Sequence, residues 1–364
     1  LLACDLDEAQ KQALCAAIEN LKDEHAAGGT PTAVRIPQPD GVNKPVEFSF
    51  FIPQQYGSAA ILTQYPTYSE LLEDYYATKD RAERLKQKSR ELYKAVHNLY
   101  ERAVRKQSAR REELAQSEKA DTLRLYGELL QANQWAIQKG DRQATVQNYY
   151  TGEDVTIRLD PRLGPNENAQ KYFDKYGKMK RTAEALNELI LETKGQIDHL
   201  ESIQNSLDIA LSADDLVQIK DELIEYGFIK KGKGSKKQKV KSKPFHYISS
   251  DGFDMYVGKN NYQNDELTFK LATGNDWWFH AKGMPGSHVI VKAENKELPD
   301  STFEEAGKLA GYYSKGKNAD KVEIDYLQKK NVKKPNGAAA GFVVYYTNYS
   351  LTIHPDISDI RQIE

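Results

Sequence analysis

Cysteine is nearly missing from this chain. Among 364 residues there are two, Cys4 and Cys15, both close to the N-terminus. A disulfide framework needs more cysteines in a shorter chain, and a four-cysteine zinc site is excluded, so a reducing compartment is the simplest expectation. Long apolar runs are lacking too. No stretch of about 18 apolar residues exists, so neither a membrane-spanning helix nor membrane insertion is expected. The opening Leu1-Leu2-Ala3-Cys4 turns acidic at once, without the basic flank and apolar stretch of a signal peptide. The first residue is not methionine, and the chain is expected to be part of a longer protein. An excess of one charge is also absent: 51 Lys and Arg face 53 Asp and Glu, for a net charge of -2. Whole-chain charge therefore makes no case for a polyanionic partner, and any basic site must be local.

What is present is polar surface. Charged residues make up 29% of the chain and apolar ones 39%, which gives little core per residue and suits an extended shape. The length predicts two or three domains.

Residues 1–66 read as the remnant of an α/β domain. Leu14, Ala17, Ile18 and Leu21 follow helical spacing, and Gly28-Gly29 end that helix. Thr32–Ile36 and Val46–Ile52 read as strands. Residues 67–228 read as an arm. Leu71, Thr78, Leu85, Leu92 and Leu99 recur every seven residues, as do Tyr75, Ala82, Ser89, Val96 and Ala103. These are the a and d series of a coiled coil. A second pair follows: Ala169, Tyr176, Ala183, Ile190 and Ile197, then Tyr172, Met179, Leu186, Leu200 and Leu207, with Thr193 in the middle. Two such stretches joined by a long connection predict an antiparallel hairpin with arms of about 60 Å, at a rise of about 1.5 Å per residue. The connection, about 110–165, predicts a small globular tip. It holds a helix through Leu123, Leu129 and Leu130 that stops at Gly140. A hairpin of Thr145–Tyr150 and Val155–Leu159 follows, and Asn166 is the expected cap of the return arm. Ser212 with Asp215 predicts a further short helix.

Residues 229–243 form a Lys-rich linker, with eight lysines between Lys230 and Lys243 and no acid. It reads as a solvated tether or as one that lies along phosphate; Lys236 and Lys237 are the candidates for contact. Residues 244–364 read as an α+β domain: strands, one helix from Phe303 to Tyr313 capped by Ser301 or Thr302, then more strands. Phe342–Tyr346 and Leu351–Ile353 are expected among the strands.

Within it, the densest cluster runs from Asn275 to Val291. Two strands flank the turn Gly283-Met284-Pro285-Gly286, and Trp278, His280, Lys282 and Ser287 gather beside a backbone open to close approach. Stacking rings beside cationic donors suit unpaired bases and phosphate; alternation along the strands assigns about half of these residues to the core. Adjacent Ser287 and His288 cannot form a nucleophile–base pair if they point to opposite faces of a strand. A metal shared by His280 and His288 lacks a third ligand. Gly311 to Lys317 matches the Gly-x4-Gly-Lys core of a phosphate loop, but Asn318 replaces the Ser or Thr and the match follows a helix. It reads as a helix C-terminus. Lys308, Lys315, Lys317, Lys329, Lys330, Lys333 and Lys334 are the candidate basic face of a domain with 14 basic and 16 acidic residues from Pro244 on.

These segments resemble the NFACT family. Asp276 to Val291, Lys308 to Ser314, and Val332-Lys333-Lys334-Pro335 with Gly337 and Gly341 look like its C-terminal NFACT-R domain. The heptad arm, Gly127-Glu128-Leu129-Leu130 and Asn168-Ala169-Gln170-Lys171-Tyr172-Phe173 look like its coiled-coil middle region. Val46 to Ile52 and Tyr68 to Tyr76 look like the end of its N-terminal domain. The resemblance implies an α+β multidomain protein: a long antiparallel coiled-coil arm with a small globular tip, followed by an α+β NFACT-R domain. It implies a cytoplasmic, non-enzymatic factor of ribosome-associated quality control that needs no cofactor. Its implied partners are the 50S ribosomal subunit carrying peptidyl-tRNA and a recruited tRNA, alanyl-tRNA in bacteria, and it supports alanine tailing of stalled chains. Most of the N-terminal domain and the helix-hairpin-helix region of the family are not in this sequence. Gram-positive members are also described as fibronectin-binding adhesins, so fibronectin at a cell surface is the alternative partner.

Overall fold

The computed structural model describes residues 7–37, 43–117, 119–231 and 242–363. In chain order the elements are α1 (Glu8–Ala26), β1 (Thr32–Pro37), β2 (Asn43–Ser49), β3 (Ile61–Gln64), α2 (Tyr68–Ser117), α3 (Ala120–Ala132), β4 (Gln143–Gln147), β5 (Asp154–Arg158), α4 (Pro165–Ile209), α5 (Ala213–Glu225), β6 (Phe245–Ile248), β7 (Asp254–Val257), α6 (Asn261–Glu266), β8 (Trp277–Ala281), β9 (Val289–Val291), α7 (Asp300–Tyr312), β10 (Val322–Gln328), β11 (Tyr349–Ile353) and β12 (Arg361–Gln362). The fold is α+β. The chain divides into two compact units, residues 95–204 and residues 1–94 with 205–364.

In residues 95–204, α2 and α4 run antiparallel. Tyr100 donates to Glu201 at 3.1 Å, Gln107 reaches the Ile190 carbonyl, and Arg110 donates to the Leu189 carbonyl at 2.7 Å. Val96, Ala103, Leu186 and Leu200, all on the heptad series, are buried. So is Thr193, the polar member of its series. Its hydroxyl donates to the Leu189 carbonyl and accepts from Arg110, so a polar side chain sits at a core position with its hydrogen bonds made and favours one register.

The loop between these helices builds its own core. Leu129 and Leu130 of α3, Ile137, Val146 and Ile157 of the β4–β5 hairpin, and Ala169 of α4 pack together. Two sequence motifs acquire a physical cause here. A Cβ on Gly127 would lie 2.9 Å from the Phe173 ring. Asn168, buried, accepts from the Asp160 amide at 2.8 Å and donates to the carbonyls of Asp160, Leu163 and Gly164. The expected cap at Asn166 is corrected: α4 opens with Pro165, which suits a first helical position because it has no N–H to satisfy.

In the other unit, β2-β1-β3 form an antiparallel sheet with β1 central. β3 escaped the sequence reading. Arg35 and Tyr65 both engage Asp74 of α2, and Tyr75 donates to the Val46 carbonyl at 3.0 Å. α1 forms as expected, but Leu14, Ile18 and Leu21 stay exposed. The capping box of Ser212 and Asp215 opens α5 as expected. α5 meets α6 through Gln218 with Asn260 and Glu222 with Asn261, each 2.7 Å.

Seven strands, β11-β10-β8-β9-β7-β6-β12, make one antiparallel sheet. One face packs Phe279, Val289 and Ile324 against Ala306, Leu309 and Ala310 of α7. Gly307 and Gly311 let α7 lie close: a Cβ on either would meet Leu351 or Ile353 at 2.8 Å. This steric role, and the end of α7 at Tyr312, account for the phosphate-loop look-alike. On the opposite face Trp278, Ile290 and Leu327 meet Leu267, Ala272 and Val332. Two expectations need correction. α7 starts at Asp300 without a side-chain cap, because Ser301 and Thr302 donate instead to Asp251. The domain also has a second helix, α6, continued by a π-helical turn over Leu267–Leu271.

Changing Gly127 to Ala is expected to destabilise the 95–204 unit by about 1–3 kcal/mol through overpacking against Phe173. Thermal melting followed by circular dichroism reads this, and an unchanged melt would refute the packing role.

Candidate nucleic-acid interface

The Gly283–Gly286 turn joins β8 to the approach of β9. Gly283 has φ +67°, which a side chain would strain, and Gly286 bridges to Ser314. A Cβ on Gly286 would touch the Ser314 side chain at 3.0 Å, so its smallness serves packing. Ser287 is buried and its amide donates to the Tyr313 carbonyl at 3.0 Å. Trp278 is fully buried, with its indole N–H finding no hydrogen-bond acceptor among the described residues. Trp278, Gly286 and Ser287 are therefore parts of the domain interior, and their assignment to a ligand surface is corrected.

The two histidines are also structural. His288 is buried, and its Nδ1 pairs with the Thr268 hydroxyl at 2.8 Å. The His280 ring lies 5.6 Å from the rings of Trp278 and of His288. Desolvation pushes the pKa of His280 down to about 4, and burial with the neighbouring His280 holds His288 well below its ordinary value. Both are neutral at pH 7, so neither offers a cation to phosphate. Among the described residues no group of three His, Cys, Asp or Glu side chains is placed to hold a metal ion.

The lysines divide by partner. Lys282 pairs with Glu323 and lies 4.0 Å from Asp325. Lys308 pairs with Glu304 and Asp359, and Lys334 with Asp265. These three are committed to acids of the domain, which corrects their reading as free phosphate donors. Lys317 lies 4.0 Å over the Tyr312 ring and Lys329 5.7 Å from the Phe269 ring. Lys315, Lys317, Lys330 and Lys333 are exposed. Lys329, Lys330 and Lys333 make no ion pair among the described residues and gather at the end of β10 and beyond it. Lys236 and Lys237 lie outside the described residues.

The expected strand over Phe342–Tyr346 reduces to one bridge, Lys333 to Val344. Its alternation is real nonetheless: Val343 and Tyr345 pack inward, while Phe342 and Tyr346 are exposed. The site reading had missed these two rings, although two aromatics four apart in a period-two run were visible beside the lysines.

A two-faced sheet with unpaired lysines and bare rings at one margin has the features of a nucleic-acid-binding domain. Comparison with known proteins agrees. Residues 1–243 match the model for the NFACT N-terminal and middle domains, and residues 243–346 that for the NFACT protein RNA binding domain. The chain belongs to the NFACT family. It is 38% identical over 297 residues to the Rqc2 homolog RqcH of Streptococcus pneumoniae, covering 81% of this chain and 53% of that protein. It is also 38% identical over 306 residues to the Rqc2 homolog RqcH of Bacillus subtilis, covering 83% and 53%. The chain thus spans about half the length of the curated relatives it matches. A solved structure, the C-terminal part of the fibronectin/fibrinogen-binding protein from Streptococcus suis, is similar at TM-score 0.61 and 35% identity. The likeness covers 76% of this chain and 99% of that one. Among the described residues no helix is long and apolar enough to cross a membrane.

The neutral histidines give a pH prediction. Their pKa values are lower in the fold than in the unfolded chain, so the unfolded state takes up protons first as pH falls. Stability is fully present above about pH 6.5 and is lost toward pH 4, by up to about 1.4 kcal/mol per pH unit for each histidine. Urea unfolding between pH 7.5 and 4.5 should show this acid limb, and His280→Gln should make it shallower. An equal slope in the variant would reject the assignment.

Proposed function

We propose that this chain is the middle and RNA-binding portion of a cytoplasmic ribosome-associated quality-control factor. In this reading it binds the large ribosomal subunit that still holds peptidyl-tRNA, and it supports alanine tailing of the stalled chain with recruited alanyl-tRNA. The observation that carries the reading is the cluster of Lys329, Lys330 and Lys333, without acidic partners among the described residues, on a domain matching an RNA-binding family. The similarity to two RqcH proteins supports it. The antiparallel α2–α4 pair fits a coiled-coil arm that supplies reach. In this reading the role is binding rather than catalysis, in keeping with a buried His288 and a partly buried His280 whose pKa values are both lowered.

A second reading, adhesion to fibronectin, draws on the likeness to the Streptococcus suis structure. Co-sedimentation with purified 50S subunits at low and high salt, with fibronectin as competitor, separates the two. Salt-sensitive pelleting supports the ribosomal role. Failure to pellet together with saturable fibronectin binding favours the adhesin. Changing Lys330 and Lys333 to Glu is expected to weaken RNA binding and to lower the salt slope by about one for each phosphate contact removed. Undiminished affinity would reject this basic face.

A further inference from the structure

Phe342 and Tyr346 are 54% and 86% exposed. Two large rings left bare on one short segment call for a partner more than scattered apolar side chains do. The segment is held rather than loose. Lys333 donates its amide to the Val344 carbonyl at 3.0 Å, and Val344 returns the bond at 2.8 Å. That mutual pair makes residues 333 and 344 direct cross-strand neighbours with side chains on the same side. Val332, one residue before Lys333, is buried against Trp278 and Leu327. Val343 and Tyr345 join the same inward cluster, and the Tyr345 hydroxyl donates to the buried Asp325 carboxylate at 2.8 Å. Phe342, Val344 and Tyr346 must then face outward together with Lys333.

The outward strip is aromatic, cationic, aromatic. Its rings lie four residues apart on an extended segment, about 13 Å at roughly 3.3 Å per residue, with the lysine across from the midpoint. Resting on this domain's RNA-binding reading, we infer that the strip binds unpaired RNA, with Phe342 and Tyr346 as stacking platforms for bases and Lys333 as the contact to the intervening phosphate. An unpaired base has a free face to stack, which a base inside a duplex lacks, and the A-form groove that shows base edges is read by shape instead. The inward anchoring of Val343 and Tyr345 fixes the strip before RNA arrives, so little ordering opposes binding.

The test uses the whole chain and fluorescence anisotropy with two probes, a labelled oligouridine and a blunt RNA duplex. Phe342→Ala and Tyr346→Ala should each weaken oligouridine binding by about 5- to 100-fold and leave the duplex within about two-fold. Tyr346→Phe, which keeps the ring, should retain affinity. Both positions are exposed, so melting temperatures should not change. If the native chain binds oligouridine and both alanine variants bind it equally well, the strip is not the stacking site, though RNA binding stands. If the native chain binds neither probe, the RNA-binding reading falls and the strip with it. If the variants lose fibronectin and keep oligouridine, the rings serve a protein partner and the inference is overturned.

Discussion

The buried carboxylate of Asp325 is the fixed point of the C-terminal domain's margin. Taking an ionised carboxyl out of water is costly unless hydrogen bonds and a countercharge replace the solvent. Asp325 gains three donors, from Tyr345, Asn348 and Ser350, at 2.7 to 2.8 Å, with Lys282 at 4.0 Å. Tyr345 and Asn348 lie between the last lysines and β11, and Ser350 lies in β11 itself. Satisfying one acid on β10 therefore binds the edge strand and the aromatic segment to the sheet. It also occupies the side-chain amide of Asn348.

A polar contact sets the register in the helical unit as well. Thr193 stands in a series otherwise filled by apolar residues, and a period-seven reading marks it only as a weak spot. With Arg110 opposite it, the weak spot becomes a registry point, because sliding the helices by a turn would leave the guanidinium against apolar side chains and the threonine without its partner. The periodicity of α2 and α4 was legible because each core position repeats locally. The Arg110–Thr193 pairing spans 83 residues and was not.

The same distinction separates what was legible at the candidate site from what was not. Most strands of the C-terminal domain and the end of α7 followed from alternation and punctuation, whereas the short β12 did not and the expected strand over Phe342–Tyr346 is a single bridge. The lysines were legible as a group but not as individuals, since their fates depend on acids far away in sequence: Asp359 for Lys308, Asp265 for Lys334, Glu323 for Lys282. Trp278 and Ser287 misled for another reason. A sheet covered on one face only would expose every second residue. This sheet is covered on both, by α7 and by the segment from α6 to Ala272, so alternation along β8 does not lead to solvent. The segment Phe342–Tyr346 escapes that rule because nothing among the described residues covers its outer side.

Near-neutral charge and polyanion binding are compatible for a physical reason visible here. Acids of the domain are spent on particular lysines, and each such pair cancels its own field within a few ångströms. Lys329, Lys330 and Lys333, which pair with no acid among the described residues, share one short stretch, so positive charge is concentrated there even though 16 acids outnumber 14 bases from Pro244 on. Beside that stretch stand the two bare rings. A net-charge argument averages this arrangement away, whereas the location of unpaired cations retains it. Binding at such a margin combines a salt-sensitive term from the lysines with a salt-insensitive one from stacking. A domain with no overall basic character can on that account hold unpaired RNA without gathering polyanions indiscriminately over its surface.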